Sequence, residues 1–246
     1  MQTYSLSRLI VRWLFCKVIH LLPRKGLKCR LRAAVLKHKD GLHESLLCEL
    51  GETVVMVGVH RIDTVMDWSM ACGASGRVLL VEAVPLYLKN IRENLENHLN
   101  WNIDNISYIA KGVSSSSGTG SVEVGKRADY NKLADQGIED NLPRDAFVTV
   151  ETIPLDTVDN ILEQQCVARA NHITLTISGM EVAALKGMTR TLQTPGLRLL
   201  IRSLHMIENR PQYLEVAEFL RHLGFNVALG KQVTPCGGRN IYAFRA

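Results

Sequence analysis

A chain of 246 residues, 46% of them hydrophobic, is long enough to bury one sizeable core. Its net charge of +5 is unevenly spread: residues 1–39 hold ten of the 29 basic residues and no acid, leaving 19 bases for the rest against all 24 acids. An acidic body with no basic patch argues against nucleic acid as a partner. Six cysteines at 16, 29, 48, 72, 166 and 236 include no Cys-x-x-Cys pair, which points to reduced thiols in a cytoplasmic protein and gives no sign of a zinc site or disulfide framework.

The chain opens on a basic arm. Leu6 to Leu22 is apolar but broken by Arg8, Arg12 and Lys17, so its apolar runs are too short for a signal-peptide core. Each such charge costs about 2.5–3.5 kcal/mol near a bilayer centre, which also argues against a membrane span. On a helical wheel Leu6, Ile10, Trp13, Leu14 and Leu21 share a face, Ser5, Arg8 and Arg12 lie opposite, and Lys17 falls on the apolar side. Two readings stand. Residues 5–39 lie on an anionic membrane surface, making the protein peripheral on the inner face of a membrane, or the helix packs over a sheet with its basic stripe in solvent. Pro23 closes this helix, and Leu27 to Lys39 predicts a second one. Residues 1–44 are read as the arm and residues 45–246 as one α/β domain.

The stretch from Thr53 to Asn97 organises the domain. Val54 to Val57 is a short β-branched run of the kind buried in a parallel sheet, and Gly58 follows at once. Arg77 to Val81 makes a second strand that ends in the acid Glu82. A strand, a glycine turn, a helix and a strand ending in an acid form half of a nucleotide-type site. The turn brings backbone N–H groups to the ligand, and the acid takes ribose hydroxyls. Pro85 to Leu99 carries a helical stripe at Leu88, Ile91, Leu95 and Leu99.

Ile106 to Ala110 predicts a third strand, Ser114 to Gly120 a hairpin turn, and Asp129 to Arg144 a surface loop or lid. Phe147 to Ile153 alternates like a strand, and Asp156 begins a helix through Leu162. His172 to Ile177 is strand, Gly179 starts a helix to about Leu192, and Leu197 to Leu204 is strand again. Tyr213 to Leu223 is helix, and Asn226–Leu229 with Ile241–Phe244 predicts a terminal antiparallel pair. Trp13, Trp68 and Trp101 fall on separate elements and read as packing residues.

Five segments resemble the FkbM-type, S-adenosylmethionine-dependent methyltransferases over residues 45–246. They are Val54-Val55-Met56-Val57-Gly58, Val81-Glu82-Ala83-Val84-Pro85, Thr152-Ile153-Pro154-Leu155-Asp156, Gly179-Met180-Glu181-Val182-Ala183-Ala184-Leu185-Lys186-Gly187, and Tyr213-Leu214-Glu215-Val216 before Leu223-Gly224-Phe225. The resemblance implies a Rossmann-like class I methyltransferase fold, with a mostly parallel central sheet and helices on both faces. It also implies S-adenosylmethionine as cofactor and a hydroxyl as methyl acceptor. Carried onto this chain, Gly58, His60 and Glu82 stand at the cofactor, and Glu181 and His205 are the candidate catalytic residues.

The departures are polar and clustered. Where the family carries Asp-Val-Gly-Ala-Asn-x-Gly, this chain has Met56-Val57-Gly58-Val59-His60-Arg61-Ile62. Thr174-Leu175-Thr176-Ile177-Ser178-Gly179 replaces a Lys-Ile-Asp-Val-Glu-Gly strand, and Ser203-Leu204-His205 replaces Glu-x-His. One lost charged hydrogen-bond partner costs about 1.5–3 kcal/mol, roughly ten- to a hundredfold in affinity. The leading expectation is therefore an eroded site, weakly active or non-catalytic, in a protein that binds a partner protein, a membrane or a small molecule. The alternative is an active O-methyltransferase acting on a hydroxyl of a saccharide or lipid-linked acceptor. The surviving residues also have plainer roles. Glu82 suits a solvated strand end, Glu181 the first turn of a helix, His205 a polar strand end, and His60 with Arg61 a solvent-facing loop.

Overall fold

The computed structural model describes residues 48–59, 61–98, 104–125, 132–133, 147–234 and 237–245. The arm over residues 5–39, His60, Trp13, Trp101 and most of the loop expected over 129–144 lie outside these. The elements are β1 (Thr53–Val57), α1 (Ile62–Cys72), β2 (Arg77–Glu82), α2 (Pro85–Glu93), β3 (Ile106–Ala110), β4 (Gly112–Val113), β5 (Gly118–Gly125), β6 (Lys132–Leu133) and β7 (Phe147–Asp156). They continue with α3 (Val158–Gln164), β8 (His172–Leu175), α4 (Glu181–Lys186), β9 (Arg198–Ser203), β10 (Met206–Ile207), β11 (Arg210–Pro211), α5 (Gln212–His222), β12 (Asn226–Gln232) and β13 (Arg239–Phe244).

Seven strands form the central sheet in the order β12-β13-β9-β8-β1-β2-β3. Strands β3, β2, β1, β8 and β9 run parallel, while β13 is antiparallel to both neighbours. Side chains alternate between faces along a strand, and here both faces are covered. Val54, Met56, Val78 and Leu80 pack under Val65, Met66 and Trp68 of α1 and Leu88 and Ile91 of α2. Val55, Val57, Leu79 and Val81 face the other way, toward Val158 and Ile161 of α3, Leu185 of α4, and Val216 and Leu220 of α5. Each such side chain contributes roughly 1.5–3 kcal/mol by leaving water. That explains why the strands are continuous apolar runs and not alternating ones. Among the described residues no helix is long and apolar enough to cross a membrane.

A smaller sheet, β4-β7-β5-β6, lies over the start of α2, where Val122, Val124 and Ile153 bury Val84 and pack against Tyr87. The Tyr87 hydroxyl donates to the Gly125 carbonyl at 2.9 Å. Asp156, at the end of β7, accepts from Lys111 Nζ at 2.7 Å, Ser117 Oγ at 2.8 Å, Asn160 Nδ2 at 3.1 Å and Gln164 Nε2 at 2.9 Å. Burial would raise this carboxyl, but the hydrogen bonds outweigh it and hold the group well below the usual carboxylate range.

Four boundaries differ from the sequence expectation. Asp156 belongs to the strand, and the helix starts at Val158 because Thr157 caps it, its hydroxyl accepting from Asn160 N at 3.1 Å. The Ser114 to Gly120 segment does not close a hairpin between β4 and β5, because β7 lies between them, parallel to β4 and antiparallel to β5. Inside the expected loop, Lys132–Leu133 pairs with β5. Helix α4 stops at Lys186, and Thr191–Gln193 forms a separate 3₁₀ turn. Asp159 makes this break. Its carboxylate takes Arg190 N at 2.8 Å, Thr191 N at 2.9 Å and the Thr191 hydroxyl at 2.5 Å, so those amides begin a new turn.

Replacing Asp159 with alanine leaves two amides and a hydroxyl without their acceptor, at about 1–3 kcal/mol for each buried group that water does not reach. Urea denaturation of Asp159→Ala is expected to show a stability loss of roughly 2–4 kcal/mol with an unchanged denaturant slope. A loss below about 0.5 kcal/mol would show that the 3₁₀ turn does not depend on this carboxylate.

Candidate functional site

The chain leaves β1 for β2 and β3 on one side and returns to β8 on the other, so the sheet order reverses between β1 and β8. Open α/β sheets bind ligands outside the carboxyl ends of the strands at such a point. Gly58 stands there with φ +74°, a region that side-chain-bearing residues avoid. Its N–H donates to the Val81 carbonyl at 2.9 Å, and Thr176 N donates to the Val57 carbonyl at 2.9 Å. A Cβ on Gly58 would overlap the Thr176 carbonyl oxygen and lie 2.9 Å from Ile177 Cγ2. The turn after β1 and the end of β8 therefore meet backbone to backbone.

Glu82, at the end of β2, turns its carboxylate toward this turn. Oε2 accepts from Val59 N at 3.1 Å and Oε1 from Val84 N at 3.1 Å. The residue is 8% exposed, which corrects the picture of a solvated strand end. Burial pushes the carboxyl upward, and the amides of Val84, Val59 and Ala83 work against that. A carboxylate offers about four acceptor sites, so two bound amides leave capacity for a hydroxyl.

The other half of the crevice is built differently. Met56 is buried in the core beneath α1, and Ile62 packs half-buried against the same cluster. Arg61 pairs with Asp63 in the first turn of α1 at 2.6 Å, and Asp63 is itself buried. The loop after β8 passes through Ser178 at φ 41° and Gly179 at φ 92°, with no carboxylate until Glu181.

Glu181 is 0% exposed, and neither carboxylate oxygen has a well-formed hydrogen bond among the described residues. Burial pushes its pKa up to about 7, partly offset by the amides of Glu181, Ile177 and Gly179 and the Gln212 side chain that face it. Gln212, the first residue of α5, joins the loops around it. Its side-chain amide donates to the Gly179 carbonyl at 2.5 Å, its Oε1 accepts from Ser203 Oγ at 3.5 Å, and its backbone N–H donates to the His205 carbonyl at 3.1 Å. His205 is half-buried just past β9.

The structure thus brings Gly58 and Glu82 together and links Glu181 to His205 through Gln212, while His60 lies outside the described residues. Sequence reasoning missed Gln212. Its one signal is a polar residue opening a helix directly after Pro211. It also missed the grouping of Cys48, Glu52 and His172 at the opposite end of the sheet. Glu52 and His172 are 120 positions apart and Cys48 lies further still from His172, so no local spacing announces them.

The sheet order and the crevice define a class I methyltransferase fold, with helices on both faces of a mostly parallel sheet. Residues 56–227 match the family model described as the methyltransferase FkbM domain, and the chain belongs to that family. Among solved structures it is similar to the methyltransferase FkbM of Methylobacillus flagellatus KT, at 16% identity and a TM-score of 0.54 over 78% of this chain. The match spans only 43% of that protein. It is also similar to a putative rRNA-methylase of Clostridium thermocellum, at 12% identity and a TM-score of 0.51, covering 84% of this chain and 99% of the other. Likeness at this identity concerns the fold alone. Comparison with proteins of curated function finds no significant match.

S-adenosylmethionine, the cofactor the family implies, meets two different halves. The adenosine end fits Gly58, whose turn admits no side chain, and Glu82, which keeps acceptor capacity at the ribose position. At the methionine end, among the described residues, Met56 is buried and the loop after β8 carries Thr176 and Ser178.

The buried state of Glu181 sets a pH dependence. Its folded pKa of about 7 stands above the ordinary 4.5, so the folded chain holds this proton more tightly than the unfolded chain does. Stability from this group is fully present below about pH 4.5 and is lost as pH rises through 7. Glu181→Gln escapes this loss. Relative to the native chain it is expected to gain about 3 kcal/mol between pH 4.5 and pH 8 in denaturant titrations. A difference that does not change with pH would show that Glu181 is ionised in the fold.

Proposed function

We propose that this FkbM-family chain holds the adenosine end of S-adenosylmethionine weakly and does not complete methyl transfer, serving as a binding or scaffold subunit. The observation that carries this reading is the state of the remaining carboxylates. Glu82 is turned onto two amides of the adenosine half, and Glu181 is sealed from solvent. Neither is free to take a hydroxyl proton from an acceptor, a task that needs a base within hydrogen-bond reach. One specific observation favours the alternative, an active O-methyltransferase acting on a saccharide or lipid-linked hydroxyl. His205 is half-exposed at the end of β9 and offers an imidazole as base.

Calorimetric titration with S-adenosylmethionine separates the two. Each missing charged contact removes roughly ten- to a hundredfold in affinity, so the native chain is expected to bind more weakly than micromolar. What binding remains depends on Glu82. Because alanine there leaves two buried amides unpaired, Glu82→Gln is the better variant, since it keeps one acceptor oxygen. It is expected to lose most of the heat signal while staying folded. Micromolar or tighter binding by the native chain would overturn the eroded-site reading in favour of the enzyme.

The basic arm adds a partner to this proposal. Ten positive charges and no acid over residues 1–39 suit an anionic membrane surface, each lysine or arginine near it contributing about 1 kcal/mol. The intact protein is expected to sediment with anionic vesicles at low salt and to release at high salt. Equal binding to neutral vesicles, or none at low salt, would remove the membrane from the proposal.

A further inference from the structure

The end of the sheet opposite the crevice holds a second polar cluster. Cys48 and Glu52 precede β1, and His172 is the first residue of β8. The register pairs Val54 with His172, so the chain entering β1 passes beside the start of β8. A thiol sulfur, a carboxylate oxygen and a ring nitrogen thereby come within 4.8 Å of one another. Cys48 is 1% and His172 3% exposed, and the Trp68 ring lies 5.1 Å from the imidazole. His172 Nε2 stands 3.0 Å from Glu52 Oε2, which also accepts from Glu49 N at 2.7 Å. Glu52 Oε1 is paired with the Arg198 guanidinium, and the Cys48 thiol donates to the Glu49 carbonyl at 3.5 Å.

We infer that Cys48, Glu52 and His172 form a zinc site that pins the segment leading out of the arm to the start of β8. One sulfur, one imidazole nitrogen and one carboxylate oxygen make a donor set for zinc, whereas magnesium and calcium take oxygen ligands. With metal–ligand bonds of about 2.0–2.3 Å, tetrahedral ligands stand roughly 3.3–3.7 Å apart. The imidazole and carboxylate therefore open by a few tenths of an ångström from 3.0 Å, and the sulfur closes in by little more than an ångström at most.

The ion takes the place of the hydrogen between Nε2 and Oε2. The neutral imidazole passes that proton through solvent to Nδ1, and the thiol proton leaves to solvent. Arg198 and the Glu49 amide stay on the carboxylate, as the outer hydrogen bonds that orient a metal-bound carboxylate. Thiolate and carboxylate together offset the charge of the ion, so only the arginine charge remains over, in a group that is 30% exposed at its side chain. Without an ion, Glu52, His172 and Arg198 form an ion-paired cluster and the Cys48 thiol makes only a weak hydrogen bond to the Glu49 carbonyl; zinc engages all three donors at once. The fourth position of the tetrahedron falls to water or to a donor beyond these three residues. The site is independent of the crevice and of what binds there.

The test uses the full chain, stripped with a chelator and titrated back with Zn²⁺ or Co²⁺ alone. Elemental analysis is expected to find one zinc per chain, zinc is expected to raise the thermal midpoint, and Co²⁺ to give a thiolate-to-metal absorption band. Cys48→Ser is nearly isosteric and keeps Glu52, His172 and Arg198 intact. It is expected to fold as the native chain does by circular dichroism, to lose the band, and to bind zinc at least tenfold more weakly. His172→Gln is expected to lose zinc as well, and if it does not fold, Cys48→Ser decides alone. No stoichiometric metal and no band in the native chain would overturn the inference. So would a band that survives Cys48→Ser, since the metal would then sit on other cysteines.

Discussion

The crevice depends on how closely the turn after β1 lies against the end of β8. Gly58 at φ +74° has no room for a Cβ, because the Thr176 carbonyl and Ile177 occupy that space. The two hydrogen bonds flanking it, Gly58 to Val81 and Thr176 to Val57, carry the sheet ladder into the turn on both sides of β1. The amide of Val59 then points toward β2, where Glu82 meets it. One backbone contact thus fixes the turn, and the turn fixes what the acid can reach.

Two glutamates in this region show how environment sets the use of the same side chain. Glu82 sits where backbone amides converge, so it is held in place and still has acceptor sites left. Glu181 sits beneath the Ser178–Gly179 turn, closed off by Gln212 and out of contact with solvent. Its burial favours the neutral acid, which suits a group filling space under a loop better than one drawing a proton from a substrate. Gln212 ties the loops after β8 and β9 to α5.

Much of the fold was legible because its strands are buried on both faces. Val54–Val57 and Val78–Val81 are runs that only a covered parallel sheet can hide, and the Leu88, Ile91, Leu95 stripe indeed turned inward. The helix expected from Gly179 to Leu192 misled for a physical reason. Met188 and Leu192 bury against the same core as Leu185, so the apolar spacing continues although Asp159 has broken the helix. The site was legible only where its residues are near in sequence. Gly58 and Glu82 are 24 positions apart along one strand–helix–strand unit and could be paired on paper. Gln212 reaches Gly179 across 33 positions and Glu52 reaches Arg198 across 146, distances that only the sheet order closes.

The proposal to be tested is that the crevice keeps the adenosine end of its family's cofactor and has lost the methionine end. Comparing the affinity of adenosine with that of S-adenosylmethionine, by amide chemical-shift titration of the native chain, tests this most directly. The account predicts that the two bind equally within about threefold, with shifts at Gly58, Val59 and Val84 for both, since the methionine moiety gains no charged contact worth ~1.5–3 kcal/mol. S-adenosylmethionine binding ten times more tightly than adenosine, or more, would contradict it.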